Sequence, residues 1–279
     1  MVRSYVRVRV LGVIPARFAS SRFPGKALAP LAGKPILQHV WERARQARYL
    51  TQLIVATDDQ RIQDQARAFG AVVKMTRADH ASGTDRVAEV ASADSAAIVV
   101  NIQGDEPLID PAAIDAAALA LMDDPDVPMG TLKKRIEDAS EIANPNVVKV
   151  VTDHRGNAIY FSRWPIPYIR QSTTRSPTGL VDVRSLGPRA GRRAVSARDG
   201  QGVHYKHIGL YVYRRDFLLS YPTLEVGPLE RAERLEQLRA LENGHSIRVV
   251  ETDYESLGVD TPEDLERVSK LFEMAALMR

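Results

Sequence analysis

Apolar residues come along this chain in short blocks that alternate with stretches of helical spacing. Val6 to Ile14 reads VRVRVLGVI, a strand entering a core. From Pro35 the spacing changes. Ile36, Leu37, Val40, Trp41 and Ala44 fall on one helical face, with Glu42, Arg43 and Arg45 elsewhere. LIVATDD (53–59) is an apolar run ending in two acids, and a helix with Ile62, Ala66 and Phe69 follows, stopped by Gly70. AVVKM (71–75) is a short strand, and SGTDRVAEVA (82–91) a helix with Ser or Thr at its cap. AIVVNIQGDEP (97–107) is the most apolar strand and also ends in acids, ahead of a proline-opened helix at 111–122. Strands with continuous apolar character, alternating with helices, predict an α/β sheet buried on both faces. Ligands of such sheets sit at the carboxyl ends of the strands. The loop after Ile14 and the acids after Ala56 and Gln103 all stand there, so three charged strand ends are expected to converge on one crevice.

The second half is less regular. Residues 147–163 predict a hairpin turning across His154–Asn157. Residues 171–202 are rich in Ser, Thr, Arg, Gly and Pro, which predicts a surface excursion. YKHIGLYVYR (205–214) returns to strand, with Lys206, Ile208, Leu210 and Val212 on one face and His207, Gly209, Tyr211 and Tyr213 on the other. Residues 228–244 predict one amphipathic helix built on Leu229, Leu235, Leu238 and Leu241. IRVVETD is a last strand, and the terminal helix starts at a Thr261 cap with Pro262 in its first turn and Asp264 placed to close a capping box.

Composition narrows the class. The 279 residues suit a single domain over 1–279, 44% apolar and 26% charged. There is no cysteine, which excludes disulfides and thiolate chemistry. No apolar run is long enough for a membrane span, and the N-terminus lacks a signal-peptide core, so a cytoplasmic protein without membrane insertion is expected. The net charge of +3 is concentrated at Arg184, Arg189, Arg192, Arg193 and Arg198. Outside that segment the chain is close to neutral, so a nucleic-acid face is not indicated.

The candidate chemistry begins at VIPARFASSRFPGKAL (13–28). It is no P-loop, because Ser20 stands where the first glycine belongs and Ala27 where a hydroxyl belongs. It keeps the strand–loop–helix setting, with Arg17, Arg22 and Lys26 to neutralise a polyphosphate and Gly25 to allow close approach. A solvated basic turn is the alternative. Asp105 and Glu106 follow a buried strand. Such carboxylates suit a hard divalent metal, with a helix-capping acid ahead of Pro111 as the alternative. Asp260, from GVDTPEDL, reads alone as a turn acid or helix cap; paired in space with Asp105 it would form a metal site. Ser82, Gly83 and Thr84 suit base or ribose recognition as well as a helix cap. His80 reads as structural. The His207–Tyr211 face suits a polyhydroxylated ligand or a polar core patch.

Taken together, PARFASSRFPGKAL, GKPILQHVWERA, IVATDD, MTRADHASGTDR, VVNIQGDEP, NPNVVKVV, YFSRWPIPY, KHIGLYVYR, PLERAERLEQLRALENG and GVDTPEDLERV resemble the 3-deoxy-manno-octulosonate cytidylyltransferase family, in the family's order and over most of the chain. The resemblance implies a GT-A-like nucleotidyltransferase fold, a three-layer α/β sandwich with a mixed, mainly parallel sheet. It also implies an inserted β-rich lobe, about 128–214, that makes a homodimer. The implied reaction is CTP plus a 2-keto-3-deoxy sugar acid giving the CMP-sugar and diphosphate, with Mg²⁺. The implied nucleotide site is Pro15, Ala16, Arg17, Arg22, Lys26, Arg77, Ser82, Gly83, Thr84 and Asp105. Asp105 and Asp260 hold the metal, and with Lys26 and Arg17 they form the catalytic set. Gln103, Arg163, His207, Tyr211, Glu230 and Gln237 fall on the sugar-acid side. Two departures, the long basic 171–202 segment and Trp164 after Arg163, bear on which sugar acid is used. Another 2-keto-3-deoxy sugar acid is therefore the alternative, and a basic nucleic-acid-binding protein a distant one.

Overall fold

The apolar blocks become strands packed between helices, and their register decides where the polar strand ends meet. The computed structural model describes residues 8–19, 22–170 and 203–277. Val6, Ser20 and the 171–202 segment with its arginines lie outside the described residues. The first half comprises β1 (Val10–Pro15), β2 (Pro30–Leu31), β3 (Lys34–Pro35), α1 (Ile36–Ala44), β4 (Gln52–Thr57), α2 (Gln60–Ala68), β5 (Val72–Met75), α3 (Gly83–Ser92), β6 (Ile98–Asn101) and α4 (Pro111–Met122). The second comprises β7 (Met129–Arg135), β8 (Lys149–Thr152), β9 (Ala158–Ser162), β10 (Tyr205–Arg214), α5 (Arg215–Ser220), α6 (Pro228–Glu233), α7 (Leu238–Glu242), β11 (Ile247–Glu251) and α8 (Pro262–Leu277).

The sheet runs β11-β7-β10-β6-β1-β4-β5. β1 is parallel to β4 and β6, β4 to β5, and β7 to β11. Only β10 runs against the others on this path, paired antiparallel to β6 and β7. The sheet is therefore mixed and mostly parallel. β1, β4, β6 and β11 all end on one edge, and the start of β10 lies there too, with Tyr211 opposite Asn101. The range 128–214 enters and leaves through the main sheet, by β7 and β10. Its β8–β9 hairpin stands off the path, joined to β10 at Lys206–Lys149.

Two apolar clusters hold the sheet. One joins β-strand residues to Ile36, Leu37 and Val40 of α1, Ile62 of α2, Ile114 of α4 and Val268 of α8. The other joins them to Val87 of α3, Phe217 of α5 and Leu238 of α7. Ile36, Leu37 and Val40 are fully buried, each contributing about 1.5–3 kcal/mol by burial. Helix starts are capped by side chains. Asp59 accepts from Arg61 N at 3.0 Å, and Asp110, rather than Asp105 or Glu106, caps the proline-opened helix, accepting from Ala112 N at 2.9 Å. Ser82 and Asp85 form a reciprocal capping box, as do Thr261 and Asp264.

One expectation changes. The helix predicted over 228–244 is broken, because Arg234 sits in the left-handed region with φ 52°. Tertiary bonds outweigh continuous helix there. The Glu233 carboxylate accepts from Ser162 Oγ at 2.6 Å and Arg163 N at 2.9 Å, while the Glu236 carbonyl accepts from Tyr221 OH at 2.7 Å. Leu229, expected on the core face, is 42% exposed. β10 carries a bulge between Ile208 and Tyr211. The Thr131 hydroxyl fills it, lying 3.0 Å from Ile208 O and 2.9 Å from Leu210 O.

Candidate active site

Two cavities of about 300 Å³ each open along the carboxyl edge, and they share Gly83 and Gln103. The first lies where β1, α3 and β6 meet. Pro15, Ala16, Arg17, Arg22, Lys26, Ser82, Gly83, Gln103, Asp105 and Asp260 all line it, so most of the predicted nucleotide and metal residues come together. The β1 loop is shaped for this. Gly25 takes φ 72° and donates its N–H to Phe18 O at 2.9 Å, and a side chain there would strike the Phe18 ring. Gly104 lies so close under β1 that an added Cβ would be 2.9 Å from Pro15 O. That contact brings the carboxylate after Gly104 up against the loop.

Lys26 is the centre of the first cavity. Its ammonium donates to Asp105 Oδ2 at 2.5 Å and to Asp260 Oδ1 at 2.9 Å. Arg22 pairs with the other oxygen of Asp260 at 2.9 Å. Burial works to lower the pKa of Lys26, but the two carboxylates outweigh it and hold it above an ordinary lysine. Arg86, unremarked in the sequence, adds a buried cation, fixed by Thr76 Oγ1 at 2.5 Å and Asp58 at 3.1 Å. His80 lines the cavity too, with Nε2 engaged by Glu89.

Of the three charged strand ends, the one after β4 does not reach the crevice itself. Asp59 is used as the α2 cap and Asp58 as the partner of Arg86. Glu106 also turns away from the cavity, into the core. There it accepts from Tyr254 OH at 2.7 Å and Ser256 Oγ at 2.6 Å. Burial pushes its carboxyl above the usual range, and those two hydrogen bonds only partly offset it. Arg77 is exposed and paired to Asp79, outside both cavities.

The second cavity is walled by Thr84, Asn101, Gln103, Tyr211, Tyr213, Arg234, Glu236 and Gln237, among others. Tyr211 OH donates to Gln237 Oε1 at 3.1 Å, and Gln103 Nε2 to Gly209 O at 3.2 Å. Asn101 Oδ1, Glu236 Oε1 and Gln237 Nε2 are buried without a protein partner. Burial raises the Glu236 carboxyl, with Thr84 and Arg239 pulling it back. Three residues expected on this side are used elsewhere. Arg163 donates to the carbonyls of Glu233 and Pro145 at 2.7 and 3.0 Å. Glu230 makes a two-point pair with Arg239. His207 packs edge-on to Phe161 and tilted against Tyr211 behind the wall, 2.9 Å from Thr131 Oγ1. Asn101 and Glu236 had gone unremarked. A polar residue closing the apolar run IVVN was the signal for Asn101; Glu236 had none, because it lay inside an expected helix.

Surrounding protein pushes the His207 pKa down to about 3, from 6.5. The unfolded chain takes up that proton near 6.5 and the fold refuses it. The neutral ring's stabilisation is thus complete above 6.5 and is lost as pH falls towards 3. Between pH 6.5 and 4 the melting temperature of the wild type should therefore fall more steeply than that of His207→Gln. Parallel slopes in scanning calorimetry would contradict this.

A cation-lined cavity thus stands at the carboxyl edge, joined to a polar one, on a mixed sheet with helices packed on it. Residues 11–247 match the family model described as Cytidylyltransferase. A relative from Solibacter usitatus named 3-deoxy-manno-octulosonate cytidylyltransferase is 65% identical over 96% of each chain. One of the same name from Geobacter sulfurreducens is 54% identical over 94% of this chain and 98% of its own. A solved CMP:2-keto-3-deoxy-manno-octonic acid synthetase, complexed with CTP, superposes with a TM-score of 0.81 at 42% identity, covering 96% of this chain and 99% of that one. The chain belongs to the cytidylyltransferase family and, within it, to the 3-deoxy-manno-octulosonate cytidylyltransferases. Among the described residues no helix is long and apolar enough to cross a membrane.

Proposed function

We propose that this chain transfers the cytidylyl group of CTP to 3-deoxy-D-manno-octulosonate (Kdo), giving CMP-Kdo and diphosphate. The observation that carries the reading is the shared wall. Gly83 and Gln103 line both cavities, so ligands in the two would meet at that wall. The cationic cavity suits the triphosphate, with Arg17, Arg22, Lys26 and Arg86 around it, and Ser82 and Gly83 suit the cytidine. The other suits a sugar acid. Its three unpartnered polar atoms can pair with hydroxyls, and Arg234 at its rim can meet a carboxylate.

The sugar's anomeric oxygen bonds to the α-phosphorus as the bond from that phosphorus to the bridging oxygen of the β-phosphate breaks. The hydroxyl proton passes to solvent, and diphosphate leaves with the electron pair. Lys26 and the arginines stabilise the charge gathering on it. Asp105 and Asp260 fit Mg²⁺. They already hold one cation, the Lys26 ammonium, between them. Mg²⁺ commonly takes one or two carboxylates and fills its remaining positions with substrate oxygens and water. Bound there, Mg²⁺ would acidify the anomeric hydroxyl and screen the α-phosphate.

The remaining expectations stand as parts of the same proposal. The two core clusters support a GT-A-like three-layer arrangement. Ile159, Trp164 and Tyr168, exposed on and just after the hairpin, support a homodimer made by that lobe; a cytoplasmic setting belongs to the same proposal. The test of function is diphosphate release from CTP with a panel of sugar acids, with and without Mg²⁺. Release is expected with Kdo and Mg²⁺ together. Release with another 2-keto-3-deoxy acid alone would move the reading to that substrate, and none with any acid would end it.

A further inference from the structure

Asp260 lies in a segment, 252–261, that has no helix or strand of its own until α8 begins. Something must therefore set its distance from Asp105. Glu106 is adjacent to Asp105 and turned the opposite way, into the core at 6% exposure, with no cation among its hydrogen-bond or ion-pair partners. Both of its oxygens are spent on the 252–261 segment. Oε2 accepts from Tyr254 OH and Oε1 from Ser256 Oγ. The backbone repeats the connection, with Val259 N donating to Asp105 O at 2.9 Å. On the far side, Asp264 Oδ2 accepts from the N–H groups of Asp260 and Thr261 at 3.0 Å each.

We infer that Glu106 is a positioning residue for the carboxylate pair: by gripping Tyr254 and Ser256 it holds Asp260 where its carboxylate converges with that of Asp105. A carboxylate suits the task better than an amide. It only accepts, so both hydroxyls must point at it and a single arrangement results. Groups that orient ligating carboxylates commonly govern affinity for the ion by about tenfold or more. The inference rests on the reading of Asp105 and Asp260 as the Mg²⁺ pair.

The experiment compares Tyr254→Phe, the Tyr254→Phe/Ser256→Ala double variant, Glu106→Gln and Asp260→Asn. Mn²⁺ binding to the nucleotide-free protein is followed by electron paramagnetic resonance, and the Mg²⁺ dependence of turnover is measured beside it. Folding is checked by circular dichroism. Expected for the double variant are Mn²⁺ binding weaker by about tenfold and a Mg²⁺ requirement raised to match. KM for CTP at saturating Mg²⁺ should stay within about twofold, and Glu106→Gln should retain most of the binding because its amide can still bridge both hydroxyls. A folded double variant with wild-type Mn²⁺ binding overturns the inference. So does a double variant that does not fold, since the contacts then serve stability. If Asp260→Asn also binds Mn²⁺ normally, the pair itself is misassigned and the clamp falls with it.

Discussion

Asp105→Ala lowers kcat by about a thousandfold or more and leaves the fold in place. An ion held at developing phosphate charge is worth several kcal/mol of barrier, which is about this factor. The fold survives because the structural contact of Asp105 is its carbonyl, which accepts from Val259 N and which alanine keeps. Its carboxylate touches Lys26, and Lys26 retains Asp260. The check is single-turnover formation of the CMP-sugar at saturating Mg²⁺, alongside a melting curve. Near-normal turnover would remove Asp105 from the reaction; a collapsed melting curve would make it a structural residue.

Lys26→Met should have two effects of opposite sign. kcat/KM for CTP falls by about a hundredfold or more, since a half-buried charge-assisted contact to the departing diphosphate is lost. Mn²⁺ binding to the nucleotide-free protein becomes tighter, because the ammonium that bridges Asp105 and Asp260 no longer competes for them. Catalysis and ion affinity thus separate in one variant. A loss of both would mean that Lys26 organises the carboxylates rather than competing for them.

Much of the first cavity was legible because its parts obey local rules. Strands with continuous apolar character had to lie inside the sheet, so the polar residues after Pro15 and Asn101 had to stand at its edge. The Ser82 and Thr261 caps follow from short-range chemistry and appear as expected. The meeting of Asp105 with Asp260 was not readable from periodicity. It depends on β11 lying beside β7 and on the grip of Glu106 on Tyr254, both set by tertiary packing. The second cavity was harder still. Hydrophobic spacing runs straight through 228–244, and nothing in it says that Arg234 will take φ 52°. Once it does, Glu236 and Gln237 turn into the cavity, while Glu230 stays behind with Arg239. Arg163 reads as an anion binder by residue type. In the fold its fork is spent on backbone carbonyls, those of Glu233 and Arg234 at that break and that of Pro145.

The wall between the two cavities has a pharmacological consequence. Gly83 and Gln103 face both sides of it, and Gly83 carries no side chain to thicken it. A single compound with a polyanionic nucleotide-like head and a short arm ending in an acidic polyol would occupy both cavities at once. Its second half would bind at the high effective concentration set by a short tether. Selectivity would come from the arm, whose contacts are Asn101, Glu236 and Gln237 rather than the cations that any triphosphate finds attractive.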